Sequence, residues 1–275
     1  MIDSATHNDL VLFVGAGVSM ESKIGNTSPP SWDKLLSSLS EVVNKSNNVD
    51  FNSILEKNLL EAAEFIRFES QKNGREQEVI DKILDLVDSP NGEQFKSNDW
   101  HDAIELLNPN IIITTNFDSI LERKFPGYSK IDLTDLKNLP QKVRTRKSII
   151  IKAHGTAGNP GTILSQGDYM RNLKDSHQLY DVINSLLLTR TCLFIGYSIG
   201  DLDFQVLLNN TKNSIHNNQI SHYILTPEIP PYRKSMFRDA YGLHALEYTV
   251  NQNGSHQDGI EKLKSLGEIA STKGA

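Results

Sequence analysis

The chain has 275 residues, of which 38% are hydrophobic and 23% charged, and this composition excludes a largely disordered protein. Its net charge is −6 and its Lys and Arg residues are scattered, so nucleic acid is not indicated as a ligand. The single cysteine, Cys192, excludes an intramolecular disulfide and a cysteine-based zinc site, and we expect it to be a small buried hydrophobe.

The N-terminal segment, Met1 to Asp9, is polar and lacks the apolar core of a signal peptide. The longest apolar stretch, Leu186 to Ile195, is interrupted by polar residues and is too short to span a bilayer. We therefore expect a cytoplasmic protein without a membrane segment.

The first predicted strand is an uninterrupted apolar run, Leu10 to Val14, which is typical of a parallel strand covered on both faces. It ends in Gly15 and Gly17, which allow a close backbone approach to a ligand, and a helix starting there would favour a pyrophosphate. Met20 stands where the G-x-G-x-x-G fingerprint needs its third glycine. Taken alone, the stretch is equally consistent with a tight turn that binds nothing.

The region between the first and second strands is predicted to be helical throughout. Apolar residues recur at helical spacing from Trp32 to about Lys45, from Phe51 to Asp88, and from Asp99 to Leu107. A single crossover helix is shorter than this. We therefore expect one domain spanning residues 1–275, with a helical insertion at about residues 49–108.

The rest of the chain alternates between apolar runs and helical patterns. Further strands are predicted at Ile111 to Ile113, Ile149 to Ile151, Thr162 to Ser165, Thr191 to Ile195, His222 to Leu225 and Leu243 to Tyr248. Helices are predicted at Ser176 to Thr189, Phe204 to Ile215, Arg233 to Tyr241 and Ile260 to Ile269. No element is predicted in Phe125 to Arg146, a variable stretch rich in charge and turns. Residues 270–275 are expected to fray or to begin a linker. This alternation predicts an α/β fold with a doubly wound, mostly parallel, Rossmann-like sheet.

Polar and glycine residues follow four of the predicted strands. They are Gly15 to Ser19, Thr114 to Asp118, His154-Gly155, and Gly196 to Asp201. Because the carboxyl ends of parallel strands share one rim, where α/β proteins bind ligands, we expect these groups to form a single site.

Each group suits a different part of a dinucleotide. Backbone amides at Gly15 to Ser19 suit a pyrophosphate. Asn116 offers a donor and an acceptor to a ribose hydroxyl or a carboxamide, and Asp118 offers acceptors. His154 is able to take or give a proton near neutral pH.

Structural interpretations of the same residues stay open. Asn116 and Asp118 suit a helix cap, and His154 suits a hydrogen-bonded structural histidine. Ser198 and Asp201 are candidates for holding the second ribose or its phosphate. Asp168 and Tyr169 suggest a surface loop more than a loop that closes over the site. The histidines without a comparable context are His101, His177, His222 and His244.

The four motifs occur in a distinctive order: Gly15-Ala16-Gly17-Val18-Ser19, Thr114-Thr115-Asn116-Phe117-Asp118, His154-Gly155 and Gly196-Tyr197-Ser198. Together they resemble the sirtuin-type NAD-binding domain over about residues 10–208. Pro30-Ser31-Trp32 with its leucine-rich helix, and Gly196 to Asp201, resemble the bacterial sirtuin-like branch that hydrolyses NAD in anti-phage defence.

This resemblance implies specific roles. His154 would be the catalytic histidine, and Asn116 and Asp118 would hold the nicotinamide ribose and the carboxamide. The other residues that it implies in NAD binding are Gly15, Ala16, Gly17, Ser19, Thr115, Gly196, Ser198 and Asp201. NAD would be the substrate, and no metal is expected.

Two departures from protein-deacylating sirtuins bear on the reaction. Those enzymes carry a four-cysteine zinc module and an F-G-E segment after the histidine. Here Thr156 to Asp175 is too short for the module, and Thr156 to Ser165 lacks the segment. We therefore expect an NAD glycohydrolase. An NAD-dependent deacylase or ADP-ribosyltransferase, or a non-catalytic NAD-sensing module, stays open as an alternative.

Control of the activity is a further expectation, because an always-active NAD hydrolase would poison its host. We expect a homo-oligomer, an activator protein or a partner subunit. Phe51 to Asp88 is the candidate contact surface.

Overall fold

The computed structural model describes residues 1–6, 9–43, 49–133, 136, 139–145, 148–159, 161–175, 177–197 and 221–274. The predicted helix Phe204 to Ile215 and the candidate residues Ser198 and Asp201 lie outside the described residues.

A parallel sheet of seven strands forms the centre of the described part of the chain. Its strands are β1 (Leu10–Val14), β2 (Ile111–Thr114), β3 (Ser129–Ile131), β4 (Ile149–Lys152), β5 (Thr191–Ile195), β6 (His222–Pro227) and β7 (Leu243–Tyr248). Their spatial order is β3-β4-β2-β1-β5-β6-β7, and every neighbouring pair is parallel. The predicted α/β fold with a Rossmann-like sheet is confirmed.

Helices cover both faces of this sheet. They are α1 (Ile2–Thr6), α2 (Ala16–Ser19), α3 (Trp32–Val43), α4 (Phe51–Lys57), α5 (Leu59–Lys72), α6 (Glu76–Val87), α7 (Asp99–Leu107), α8 (Ile120–Lys124), α9 (Leu139–Arg144), α10 (Gln166–Asp175), α11 (His177–Thr189), α12 (Pro231–Tyr241) and α13 (Gln257–Gly274). Within the described ranges, no helix combines the length and the apolar character needed to cross a membrane.

Alternate residues of the strands pack into two separate cores. Phe13, Ile113 and Phe194 face α9, α11 and α12, whereas Leu12 and Ile112 face α7, α8 and α13. Both faces are therefore buried, which explains why the central strands read as uninterrupted apolar runs.

The helices α3 to α6, which we call the helical block, form a third core of their own. This core also includes Phe117 from the segment after β2, and Ala157 and Leu164 from the segment after β4. The amide of Ala157 donates to the carbonyl of Phe117 at 2.8 Å. The helical block therefore rests on the segments that follow β2 and β4.

Three local predictions were wrong. The stretch from Phe125 to Arg146 contains β3 and α9, and β3 escaped prediction because an edge strand of three residues carries too little pattern. Thr162 to Ser165 is not a strand, because the amides of Leu164 and Ser165 donate to the Asp168 carboxylate instead of to a neighbouring strand. The last helix extends past Ile269, where the apolar periodicity predicted its end.

Candidate active site

The register of the sheet aligns the ends of its four central strands. Thr114 pairs with Val14 on one side and with Lys152 on the other, and Val14 also pairs with Ile195. These four residues form one row, and the glycine and polar motifs begin just beyond it. The fold therefore brings the ends of these strands to one rim, as the sequence predicted.

Asn116 and Asp118 are joined through Ser19 in a buried hydrogen-bond network. The Asn116 Nδ2 donates to the Gly15 carbonyl at 3.1 Å and to Ser19 Oγ at 3.0 Å. Ser19 Oγ in turn donates to Asp118 Oδ2 at 2.8 Å, while Asp118 Oδ1 accepts from the amide of Ile120 at 3.0 Å. Asp118 thus caps the start of α8 and also holds the turn after β1.

The side-chain oxygen of Asn116 has no hydrogen-bond partner among the described residues, and the side chain as a whole is nearly buried. The backbone around it is well anchored, since the Asn116 amide donates to Thr114 Oγ1 at 3.0 Å and this hydroxyl donates to the Val14 carbonyl at 2.7 Å. A buried acceptor without a donor costs about 1–3 kcal/mol. A hydroxyl or amide of a ligand would relieve that cost.

The turns after β1 and β5 approach each other too closely for side chains. A Cβ atom on Gly15 would lie 2.6 Å from the Gly196 carbonyl oxygen, and one on Gly17 would lie 2.9 Å from it. Gly196 itself adopts a φ of +69°, in the left-handed region that favours glycine. The contact between the two turns therefore explains why glycine occupies these three positions, without reference to a ligand.

This contact also occupies backbone amides of the turn after β1. The amide of Gly15 donates to the Ile195 carbonyl at 2.9 Å, and the amide of Gly17 donates to the Gly196 carbonyl at 2.9 Å. The turn, in which Ala16 begins the four-residue helix α2, therefore presents fewer amides to a ligand than its sequence suggested.

His154 lies two residues beyond β4, and its ring lies near the ring of Phe117. Its ring centroid is 6.5 Å from that of Phe117, which is itself 6.3 Å from the ring of Trp32 at the start of α3. The His154 carbonyl accepts from the amide of Ile163 at 3.0 Å. Phe117 thus links His154 to the helical block, while the carbonyl of His154 holds the segment after β4.

The segment that follows His154 is held by two carboxylates, those of Asp132 and Asp168. Thr156 Oγ1 donates to Asp132 Oδ2 at 2.6 Å. Arg67 of α5 donates from Nε to both oxygens of Asp168, at 3.0 and 2.9 Å, and from Nη2 to the Thr162 carbonyl at 3.1 Å. The assignment of Asp168 to a surface loop was wrong, because this residue lies in α10 and is only 4% exposed.

Thr115 contributes a contact between the turns after β2 and β5. Its hydroxyl donates to the Tyr197 hydroxyl at 3.4 Å, a long hydrogen bond. The Tyr197 ring packs edge-on against Phe194, with centroids 6.0 Å apart.

The titratable groups behind the rim are structural. Burial lowers the pKa of His101 to about 4, although the nearby Asp118 charge acts in the opposite direction. His101 Nδ1 accepts from the amide of Asn98 at 3.2 Å, which closes a capping box at the start of α7. Burial raises the pKa of the Cys192 thiol, as expected of an inert buried cysteine.

No cluster of His, Cys, Asp or Glu side chains suited to hold a metal ion occurs among the described residues.

The model of the SIR2-like domain family matches residues 110–246, which include β2 to β6 and the motifs containing Asn116, Asp118 and His154. The chain contains a SIR2-like domain. The resemblance inferred from the motifs is thereby confirmed.

The chain is also similar to longer bacterial proteins. The NAD(+) hydrolase ThsA of Enterococcus faecium is 26% identical over 79% of this chain and 43% of its own length. Defense-associated sirtuin 2 of Bacillus subtilis is 28% identical over 97% of this chain and 26% of its own length. The NAD(+) hydrolase ThsA of Bacillus cereus is 26% identical over 78% of this chain and 42% of its own length. The chain therefore spans less than half the length of each of these relatives.

Sequence reasoning missed two polar residues that support the rim of the SIR2-like domain. Lys152 is almost completely buried at the end of β4, and Asp132 follows β3. A lysine at the end of a strand made otherwise of isoleucine indicates that partners for its charge lie nearby, because an unpaired buried charge is costly. Asp132 gave no such signal, since β3 itself was not predicted.

Proposed function

We propose that this SIR2-like domain hydrolyses NAD to nicotinamide and ADP-ribose. The observation that carries the proposal is the placement of Asn116, Asp118 and His154 beyond the adjacent strands β2 and β4 on one rim. Relatives that are named NAD(+) hydrolases support the same reaction.

In the proposed reaction, the bond between the ribose C1′ and the nicotinamide nitrogen breaks. Nicotinamide leaves with the bonding electron pair and becomes neutral, while C1′ acquires oxocarbenium character. Water adds to C1′ and loses a proton, which His154 accepts directly or through a ribose hydroxyl. Asp118 and Asn116 hold the leaving group and the ribose in the orientation that the transition state requires.

The unpaired side-chain oxygen of Asn116 suits this role because a ribose hydroxyl is a hydrogen-bond donor. Asp118 keeps acceptor capacity for a carboxamide, since each carboxylate oxygen has two lone pairs and accepts one hydrogen bond from Ser19 or Ile120. Both side chains are held by the protein before the substrate arrives.

We propose that the remaining residues bind the rest of NAD. The turn containing Gly15, Ala16, Gly17 and Ser19 would lie against the pyrophosphate through close backbone approach. The other proposed NAD-binding residues are Thr115, Gly196, Ser198 and Asp201.

The proposed catalytic side chains are well enclosed. Asn116, Asp118 and His154 are 6%, 4% and 7% exposed, so NAD entry requires the surrounding segments to move. An enclosed site suits a cytoplasmic effector of anti-phage defence that must stay inactive until it is needed. We propose that a homo-oligomer, an activator protein or a partner subunit opens it through the surface formed by Phe51 to Asp88.

Incubation with NAD in ¹⁸O-labelled water tests the reaction, with products separated by chromatography and weighed by mass spectrometry. Hydrolysis predicts equal amounts of nicotinamide and ADP-ribose, with one labelled oxygen in the ADP-ribose. Product formation that requires an acyl-lysine or a protein acceptor would instead identify a transferase. Tight NAD binding without any product would identify a sensing module.

A further inference from the structure

The lysine that ends β4 is buried in the protein interior, where a charged group needs stabilising partners. The side chain of Lys152 is 0% exposed and follows three consecutive isoleucines that are also completely buried. Burying an ammonium group is costly unless the protein supplies partners for it.

Among the residues that the structure describes, Lys152 has two partners, and they differ in kind. Its Nζ lies 3.3 Å from Glu122 Oε1 on α8, which balances the charge. Neither carboxylate oxygen of Glu122 has an aligned hydrogen bond among the described residues, so this contact is ionic rather than directional. The directed hydrogen bond of Lys152 Nζ goes to the backbone carbonyl of Asp118.

That hydrogen bond joins the two halves of the proposed active site. The Asp118 carbonyl ends the short turn that carries both Asn116 and Asp118, whereas Lys152 stands two residues before His154. The register already pairs Lys152 with Thr114 at the end of β2. The hydrogen bond connects the segments that follow β2 and β4 beyond the last paired residues, where the sheet itself no longer fixes the distance between them.

We propose that Lys152 is a positioning residue, which holds the Asn116–Asp118 turn at a fixed distance and orientation from His154. This proposal rests on the proposed function for its kinetic consequence. Stability alone does not explain the buried ion pair of Lys152, because replacement of such a pair by well-packed uncharged groups is often neutral for stability.

A double variant separates the two roles. Lys152→Met with Glu122→Gln removes both charges, leaves no unpaired buried ion, and deletes the donor to the Asp118 carbonyl. Loss of the ion pair should be nearly neutral for stability, whereas the Asp118 carbonyl loses its donor, so we expect a modest fall in the free energy of unfolding. We expect kcat for NAD hydrolysis to be about 10- to 100-fold lower and KM to be little changed. Lys152→Arg, which keeps a donor, should recover part of kcat.

Lys124→Met is the matched control. Lys124 also lies next to carboxylates, Asp102 at 2.8 Å and Glu105 at 2.6 Å, but among the described residues no hydrogen bond or ion pair joins its side chain to the turn. The control should keep the wild-type kcat. A folded double variant with wild-type kcat would overturn the proposal.

Hydrogen–deuterium exchange keeps the test independent of the proposed function. Amides of residues 115–120 should exchange faster in the double variant than in the wild type and in Lys124→Met. If the wild type does not hydrolyse NAD, the proposed function fails, and the exchange rates alone then decide the role of Lys152. Unchanged exchange at residues 115–120 would contradict that role.

Discussion

The amide of Gly17 donates a hydrogen bond to the carbonyl oxygen of Gly196 at 2.9 Å. This bond joins the turn after β1 to the turn after β5, at the centre of the sheet. From β1 the chain continues to β2 on one side, whereas β5 lies on the other side and leads to β6. Ligands of α/β proteins bind at such a change of direction, so the contact between these turns shapes one wall of the proposed NAD site.

Replacement of Gly17 by alanine tests the tightness of that contact. The new Cβ would lie 2.9 Å from the Gly196 carbonyl oxygen, a backbone atom that cannot rotate away. We expect Gly17→Ala to lower the free energy of unfolding by about 1–3 kcal/mol, as measured by urea denaturation. Gly127→Ala is the control, because a Cβ there meets no atom within 4 Å, and it should change the free energy by less than about 0.5 kcal/mol. Equal stabilities of the two variants would contradict the packing argument.

The glycine turn shows what one segment of sequence can and cannot reveal. The apolar run before Gly15 was sufficient to predict a buried parallel strand, because both faces of the central sheet must be apolar. The reason for Gly15 and Gly17 was not available locally, since Gly196 is about 180 residues away in the chain and only the fold brings it near.

Removal of Arg67 tests the link between the helical block and the segment after His154. Arg67→Met deletes hydrogen bonds to the buried Asp168 carboxylate and to the Thr162 carbonyl. Since Arg171 and two amides still contact Asp168, we expect a loss of about 2 kcal/mol in the free energy of unfolding. Urea denaturation measures this change.

Arg171→Met is the matched control for Arg67→Met, because both arginines pair with Asp168. The Arg171 side chain is 59% exposed, compared with 15% for Arg67. We expect the control to cost less than about 1 kcal/mol, as exposed ion pairs usually do. A larger cost for Arg171→Met than for Arg67→Met would show that Arg171, and not Arg67, is the arginine that holds Asp168 in place.

The stability of the protein should fall as the pH drops below about 6.5. Burial holds the pKa of His101 near 4, so the unfolded chain binds a proton at this position at a higher pH than the folded protein. Between pH 6.5 and pH 5 this single residue should remove about 1.5 kcal/mol from the free energy of unfolding. Denaturation curves at the two pH values measure the difference.

His101→Gln should reduce that pH dependence by a similar amount, because glutamine keeps an acceptor for the Asn98 amide but does not titrate. The exposed His177→Gln variant is the control. His222, whose pKa burial also lowers to about 4, should account for a further part of the pH dependence. A wild-type pH dependence in His101→Gln would show that His101 is not the group responsible.

The sequence predicted which residues lie at the rim of the sheet better than it predicted the contacts that hold those residues in place. Runs such as Ile111 to Ile113 identify central strands, and the polar residues after them must then meet at one edge. Contacts such as Arg67 with Asp168 could not be predicted, because they connect the helical insertion to a segment about 100 residues later. The buried position of Lys152 was predictable in principle, whereas its bond to the Asp118 carbonyl depends on the path of the turn after β2.

The most direct test compares NAD hydrolysis by the wild type with that by His154→Ala and Asn116→Ala, using purified protein over a range of concentrations. Chromatography of the nucleotide products measures the rate, and circular dichroism checks that each variant is folded. We predict nicotinamide and ADP-ribose from the wild type, and rates at least about 100-fold lower from each variant. Full activity in both folded variants, or unchanged NAD with the wild type in every oligomeric state, would contradict the account.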